Sequence, residues 1–467
     1  MQLPEQLLES LEGVNGFDKE AFVRVHESPE QITSIRINPN KIADINSLIF
    51  EDSSLRTTND PGQITQNFVP WSQYGYYLSQ RPSFTFDPLF HAGCYYVQEA
   101  SSMFLEQVLK QSIDLTKPIK ILDLCAAPGG KSTHIQSLIS RDSLLVCNEV
   151  IKSRANILKD NMIKWGNDNV VVTNNDPKDF ARLESYFDVI VVDAPCSGSG
   201  LFRRDEEAMD EWSLNNVELC SQRQQRILAD VWPALKNNGV LIYSTCSYSK
   251  KEDEQILDWI INELAVDSLQ VSVRENENII EGQSQSGGYG YRFWPYHVKG
   301  EGFFIASFRK RGDEDDFDNR AKNKIEQVSR KEHEIIRPFI ENTDHFLIKN
   351  NNLVYALPVA FKDDVNLLLG ALRVLYSGIL SGELFGEKFV PAHSLAMSRL
   401  VNKKTPAIEL NKEDAIKYLQ RKDLSLPGKE PGWQLITYHD YNLGWVKVLS
   451  NRVNNYYPKE LRILKDN

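Results

Sequence analysis

The chain has 467 residues, 41% of them hydrophobic and 25% charged, with a net charge of −11. That length suits about three domains, while no run approaches the ~18 consecutive apolar residues of a membrane-spanning helix and the opening Met1-Gln-Leu-Pro-Glu is acidic where a secretory leader is basic, so a cytoplasmic protein is expected. Six cysteines, at 94, 125, 147, 196, 220 and 246, lack the C-x-x-C pairs of structural zinc or redox motifs, which argues for free thiols and no metal site.

From Leu3 to about Arg24 the pattern reads as one or two amphipathic helices, and Thr33-Ser-Ile-Arg-Ile-Asn-Pro39 as a short strand stopped by proline. From about Asp114 to Phe308, β-branched runs alternate with helical segments: strands at 119–124, 143–148, 169–173, 187–193, 239–244 and 302–308, helices at 131–140, 151–165, 215–236 and 251–263. This repeated β-α-β order predicts a parallel sheet covered on both faces. The charged stretch Lys310 to Arg320 reads as a linker, 331–390 carries short apolar runs, and from 391 helical segments precede two strand-like runs at Trp433 and Gly444. Overall acidity argues against nucleic acid, yet Pro391 to Asn467 holds thirteen Lys and Arg against eight Asp and Glu, a local basic surface on an acidic protein.

The turn Cys125-Ala126-Ala127-Pro128-Gly129-Gly130-Lys131-Ser132 joins a strand to a helix, where glycines let backbone approach a ligand. Its end imitates a phosphate loop, but Cys125 occupies the first glycine position, which disfavours a nucleotide triphosphatase. Acids follow three successive strands: Glu149, placed to bind a ribose, Asp176, placed to accept from an adenine amino group, and Asp193. Any one alone reads as a surface acid or cap; together they favour S-adenosylmethionine. Two cysteines also end strands, in Asp193-Ala-Pro-Cys196-Ser-Gly and Tyr243-Ser-Thr-Cys246-Ser. On the residues alone either thiol can be the attacking one, since DNA cytosine-5 methyltransferases use a Pro-Cys motif like Pro195-Cys196.

With Ala-Ala-Pro-Gly-Gly-Lys131, Tyr95-Tyr-Val-Gln-Glu-Ala-Ser-Ser102, Gln222-Arg-Gln-Gln-Arg-Ile-Leu228 and Arg292-Phe-Trp-Pro-Tyr-His-Val-Lys-Gly-Glu-Gly-Phe-Phe304, these motifs resemble the Sun (Nop2/Sun) family of RNA cytosine-5 methyltransferases over roughly 90–310. Within it, the length and basic tail resemble the bacterial branch acting on small-subunit (16S) ribosomal RNA, whose tail is PUA-like. The resemblance implies an α/β fold: a Rossmann-like class I methyltransferase sheet (91–310) with a small α+β N-terminal extension (1–90), a charged linker (311–330), an intermediate α/β region (331–390) and a C-terminal PUA-like β-rich RNA-binding module (391–467). It further implies S-adenosylmethionine bound by Cys125 to Lys131 with Glu149, Asp176 and Asp193, Cys246 as nucleophile, Cys196 as the residue that releases product, and Asp193 on the cytosine edge. The family often has a proline soon after the paired arginines, whereas Arg203-Arg204 here run into Asp205, so the substrate loop departs from the pattern.

Lys131, Arg154, Arg203 and Arg204 either meet phosphate or base, or pair with local acids. Trp433, Tyr438, Tyr441, Trp445, Tyr456 and Tyr457, interleaved with Lys447, Arg452 and Lys459, either stack on bases or fill a small β core. A cytosine must leave its stack to reach a thiol and a methyl donor together, so single-stranded or flipped RNA is the expected substrate. The rival readings are a methyltransferase of the same chemistry acting on tRNA, an amino-group methyltransferase, which commonly has an Asn/Asp-Pro-Pro-aromatic loop in place of Asp193-Ala-Pro-Cys196, and a non-catalytic ribosome-assembly RNA-binding protein.

Overall fold

The computed structural model describes residues 3–42, 67–313, 326–341, 344–426 and 428–465. Helices Glu5–Ser10 and Lys19–Glu27 precede a three-stranded antiparallel sheet of β1 (Thr33–Ile37), β2 (Gly75–Leu78) and β3 (Tyr95–Val97), in the order β2-β1-β3. Much of the intervening part of the expected extension, 43–66, lies outside the described residues.

The centre of the molecule is a mixed sheet, ten-stranded among the described residues. β4 (Lys120–Asp123), β5 (Leu144–Asn148), β6 (Val170–Thr173), β7 (Phe187–Asp193) and β8 (Leu235–Thr245) are its parallel part, in the order β8-β7-β4-β5-β6. The chain winds outward from β4 to β6 and then returns to β7 on the other side of β4, so a crevice opens between the carboxyl ends of β4 and β7. Alternate residues face opposite cores: Ile121, Leu145, Val189, Val191 and Ile242 one way, Leu122, Val146, Ile190, Val192 and Leu241 the other. The first face is covered by Leu105, Leu109, Ile135, Leu158 and Met162, the second by Ile227, Leu228, Val231, Ile256 and Ile260. This double covering is why these strands read as unbroken apolar runs.

The expectation of a wholly parallel sheet needs correction. β9 (Val266–Leu269), β10 (Ile280–Gln283), β11 (Tyr289–Phe293) and β12 (Phe303–Lys310) add antiparallel strands beyond β8, with β12 pairing β8, β9 and β11. β10 and β11 are joined by five residues, too few for the crossover that parallel neighbours need. On the opposite edge, Val374–Ser377 runs antiparallel to β6, so a strand from the intermediate region completes the central sheet.

Of the segment expected as a linker, 314–325 lie outside the described residues, while Glu326–Gln327 already pair with His345–Asn350. That pairing belongs to a five-stranded antiparallel sheet continuing through Leu353–Pro358, Ile379–Phe385 and Lys388–Pro391. A last sheet holds Ala407–Glu409, Gly432–Tyr438, Tyr441–Val448 and Val453–Asn455. It packs on the N-terminal sheet: Ile35, Ile37 and Tyr95 share one core with Ile408, Tyr418, Ile436 and Val446. The two ends of the chain therefore close on each other. No helix among the described residues is long and apolar enough to cross a membrane.

Candidate active site

The glycine turn leaves β4 at Asp123 and enters helix Gly130–Leu138. Gly129 holds φ +115°, a conformation that side-chain-bearing residues rarely adopt, and the Ala127–Pro128 peptide is cis. With Gly129 as N-cap, no side chain caps this helix, so its first N–H groups face the crevice. Asn148 fixes the neighbouring edge. Its amide donates to the Leu124 and Asn175 carbonyls, its side-chain oxygen accepts from Thr173 Oγ1 and Asn175 N, and its main-chain oxygen accepts from Ala126 N at 2.8 Å.

Five acidic or basic side chains meet there, Lys131, Asp193, Asp123, Glu149 and Arg154. Lys131 Nζ lies 2.7 Å from Asp193 Oδ2, and Ser244 Oγ donates to Asp193 Oδ1 at 2.8 Å. Burial alone would lower the Lys131 pKa, but Asp193 and Asp123 outweigh it and hold the ammonium above its ordinary value. Asp123 is fully buried. Its Oδ2 accepts from Ser132 Oγ at 2.6 Å, whereas Oδ1 has no partner, and burial, reinforced by Asp193 and Glu149, raises its pKa to about 7. Glu149, buried at the end of β5, accepts from Ile151 N and stands 3.5 Å from Arg154, whose other nitrogen donates to the Ala127 carbonyl.

The two thiols converge. Cys196 and Cys246 follow adjacent parallel strands whose register pairs Asp193 with Ser244, and their sulfurs are 2.8 Å apart. Both are partly exposed. The hydrogen bond to Cys246, burial, and the charges of Cys246 and Glu252 push the Cys196 thiol well above its ordinary range. Either sulfur can donate to the other across this contact, so the two thiols share one hydrogen bond. Lys131 feels the Cys246 charge, which links the glycine turn to the thiols.

Cys125 to Lys131, Glu149, Asp193, Cys196 and Cys246 are thereby brought to one crevice. Asp176 follows β6, the strand next to the one that Glu149 follows. It caps the short helical turn Pro177–Arg182, accepting from Lys178 N at 3.2 Å with Arg226 3.7 Å away. Of the basic candidates, Arg154 ties Glu149 to the turn, and Arg203 and Arg204 both pair with buried Glu301, at 3.3 and 3.4 Å. Sequence reasoning passed over Asp123, although an acid ending the first apolar run is the same signal that marked Glu149. It also passed over Glu252, whose neighbours are brought in by the fold. In the tail, Trp445, Tyr438 and Tyr457 are buried, whereas Tyr456 is exposed against half-buried Trp433, with Lys447 over the Trp433 ring. Among the described residues no cluster of His, Cys, Asp or Glu is arranged to hold a metal ion.

The donor set suits S-adenosylmethionine. A glycine turn with uncapped N–H groups, a buried carboxylate with one unpartnered oxygen and a second acid one strand away match a carboxylate, a cationic centre and a ribose. Such a site on a Rossmann-like sheet defines an S-adenosylmethionine-dependent methyltransferase. The family model for 16S rRNA methyltransferase RsmB/F matches residues 111–309, that for the N-terminal domain of 16S rRNA methyltransferase RsmF matches 3–100, and that for the methyltransferase RsmF PUA domain matches 405–463. Ribosomal RNA small subunit methyltransferase F of Shewanella woodyi is 30% identical over 92% of this chain and 90% of its own, and its namesake in Aeromonas salmonicida 30% identical over 93% and 91%. The crystal structure of PH0851 superposes with a TM-score of 0.56 at 25% identity, covering 66% of each chain. The chain belongs to the 16S rRNA methyltransferase RsmB/F family, and it is an S-adenosylmethionine-dependent RNA methyltransferase with a C-terminal PUA domain.

Proposed function

We propose that the protein methylates carbon 5 of a cytosine in small-subunit (16S) ribosomal RNA in the cytoplasm, through a covalent bond between Cys246 and carbon 6 of the base. The observation that carries this reading is the pair of sulfurs 2.8 Å apart beyond the ends of β7 and β8. Carbon 5 of an intact cytosine is a poor nucleophile. Attack of the Cys246 thiolate on carbon 6 makes carbon 5 electron-rich and splits one hard step into two easier ones. S-adenosylmethionine, when bound, supplies an electrophilic methyl group on a sulfonium.

Asp193, anchored by Lys131 and Ser244, holds the edge of the base by accepting from its exocyclic amine. Its negative charge disfavours a nearby thiolate, so its part is on the base rather than on the sulfur. After transfer the carbon-5 proton must leave before the carbon 6–sulfur bond breaks, and Cys196 takes it. Formation of the Cys246 thioether removes the largest cause of the upward shift at Cys196, which makes it easier for Cys196 to give its proton to solvent and then accept the one on carbon 5. The segment Cys125 to Lys131, with Glu149, Asp176 and Asp193, holds the cofactor, and 391–467 holds RNA beside a methyltransferase domain spanning 91–310.

Two experiments test this. Incubated with substrate RNA and run on a denaturing gel, Cys246→Ala gives neither methylation nor adduct, and Cys196→Ala accumulates an adduct that fails to release; a reversed pattern reassigns the nucleophile. Bisulfite sequencing of total RNA from cells with and without the gene identifies the target, and loss of a signal in tRNA instead of 16S rRNA moves the enzyme to another substrate.

A further inference from the structure

Glu252 is a fully buried carboxylate without a cation beside it among the described residues. Its donors are all neutral: Ser197 N at 2.8 Å and Gln224 Nε2 at 3.1 Å on Oε1, Ser197 Oγ at 2.5 Å and Ser247 Oγ at 2.7 Å on Oε2. Ser197 follows Cys196 and Ser247 follows Cys246. One carboxylate therefore grips the residue after each thiol, and in both cases through the side-chain hydroxyl.

Its neighbour Asp253 makes a useful contrast. Asp253 is equally buried but is neutralised by Arg292 at 2.7 Å, and it accepts from Thr245 Oγ1 at 2.8 Å. The two loops also meet directly, Gly200 N–H donating to the Cys246 carbonyl at 2.7 Å and Tyr248 N–H to Ser199 Oγ at 3.0 Å. Neither of these supplies what Glu252 does, a single acceptor shared by both thiol loops. Burial raises the Glu252 pKa and its four hydrogen bonds lower it, so the charged form depends on those donors.

We propose that Glu252 is a positioning residue that sets the separation of the two sulfurs by clamping the Cys196 loop to the Cys246 loop. The proposal rests on the assignment of these thiols to nucleophile and release, and adds the group that makes their spacing fixed. Glu252 touches neither base nor methyl donor; it acts through Ser197 and Ser247. Its charge is also among the causes that raise the Cys196 thiol, after the Cys246 hydrogen bond and burial. Gln224 completes the arrangement. Its amide donates to Glu252 and to the Pro195 carbonyl, while its oxygen accepts from Tyr243 Oη at 3.0 Å.

The test uses the full-length protein without RNA or cofactor. Dibromobimane, a bifunctional alkylating agent, is reacted to completion and the modified peptides are identified by mass spectrometry. In the unmodified sequence most of the Cys196 and Cys246 label is in the bridged form. In Glu252→Ala the bridged share falls at least threefold in favour of separate single alkylations. The double variant Ser197→Ala with Ser247→Ala keeps the charge and the backbone bond but loses both hydroxyl donors; it shows the same fall, and it decides the question alone if Glu252→Ala does not fold. In steady-state assays kcat falls about 100-fold with the KM for RNA nearly unchanged, the split expected of misplaced reacting groups. Bridging at the unaltered level in the folded variants overturns the proposal, whatever kcat does. Since bridging needs no methyl transfer, a failure of the nucleophile assignment leaves this measurement intact.

Discussion

Lys131 and Asp193 form an ion pair 2.7 Å long that ties the glycine turn after β4 to the end of β7, two strands whose carboxyl ends flank the crevice. Its side chains are 14% and 34% exposed, so solvent screens it only in part. Lys131→Ala removes the cation that faces Asp193. Methyl transfer is expected to fall by about tenfold or more, with Lys131→Arg failing to restore it because a planar guanidinium presents its charge differently. Initial rates with radiolabelled cofactor check this.

Gly129→Ala tests the turn. At φ +115° a Cβ is strained whatever the space, and it meets Leu158 Cδ1 at 3.3 Å. A stability loss of about 1–2 kcal/mol is expected, together with weaker cofactor binding, read by thermal melting and equilibrium dialysis.

Asp123 gives a pH signature. Its folded-state pKa, raised by burial to about 7, lies above the ordinary carboxyl value of 3.8, so the folded state holds a proton that the unfolded state releases between those values. Stability contributed by the protonated group is complete below pH ~4 and is lost as pH rises through about 7. Relative to Asp123→Asn, the unaltered protein should lose up to about 4 kcal/mol across this window. Denaturant titrations of both proteins from pH 5 to 8 check it, and parallel curves would show that the carboxyl is not the titrating group.

The tail separates core from surface. Trp445 is 1% exposed and donates to the Ala392 carbonyl, so Trp445→Ala is expected to destabilise by about 3–5 kcal/mol. Tyr456, exposed beside Trp433 and Lys447, is expected on replacement by Ala to leave melting unchanged and to weaken RNA binding severalfold. Melting curves and filter binding with a 16S rRNA fragment separate the two.

What the sequence disclosed depended on how locally each feature is determined. β4 to β8 were legible because strands buried on both faces are apolar throughout, and Glu149, Asp193, Cys196 and Cys246 because each ends such a run. The antiparallel extension was hidden: β12 reads like its parallel neighbours, and only its pairing with β8 and β11 reverses it. The strand Val374–Ser377 returns to the edge of β6 from about 200 residues downstream, and no periodicity announces such a partner. The shared core of Ile37 and Ile436 was invisible for the same reason. Glu252 lies in the charged run Lys250-Lys-Glu-Asp-Glu254, which reads as a solvated helix start; burial came from Ser197, Gln224 and Ser247, which the fold gathers around it.

The central claim is that Cys246 bonds to the base. RNA carrying 5-fluorocytosine at the target position has no carbon-5 proton to release, so the reaction should halt after methyl transfer with enzyme and RNA still joined. After nuclease and protease digestion, mass spectrometry of the trapped complex should place the methylated fluorocytosine on the peptide containing Cys246. Attachment at Cys196, or a complex that dissociates under denaturing conditions after methyl transfer, would contradict the account.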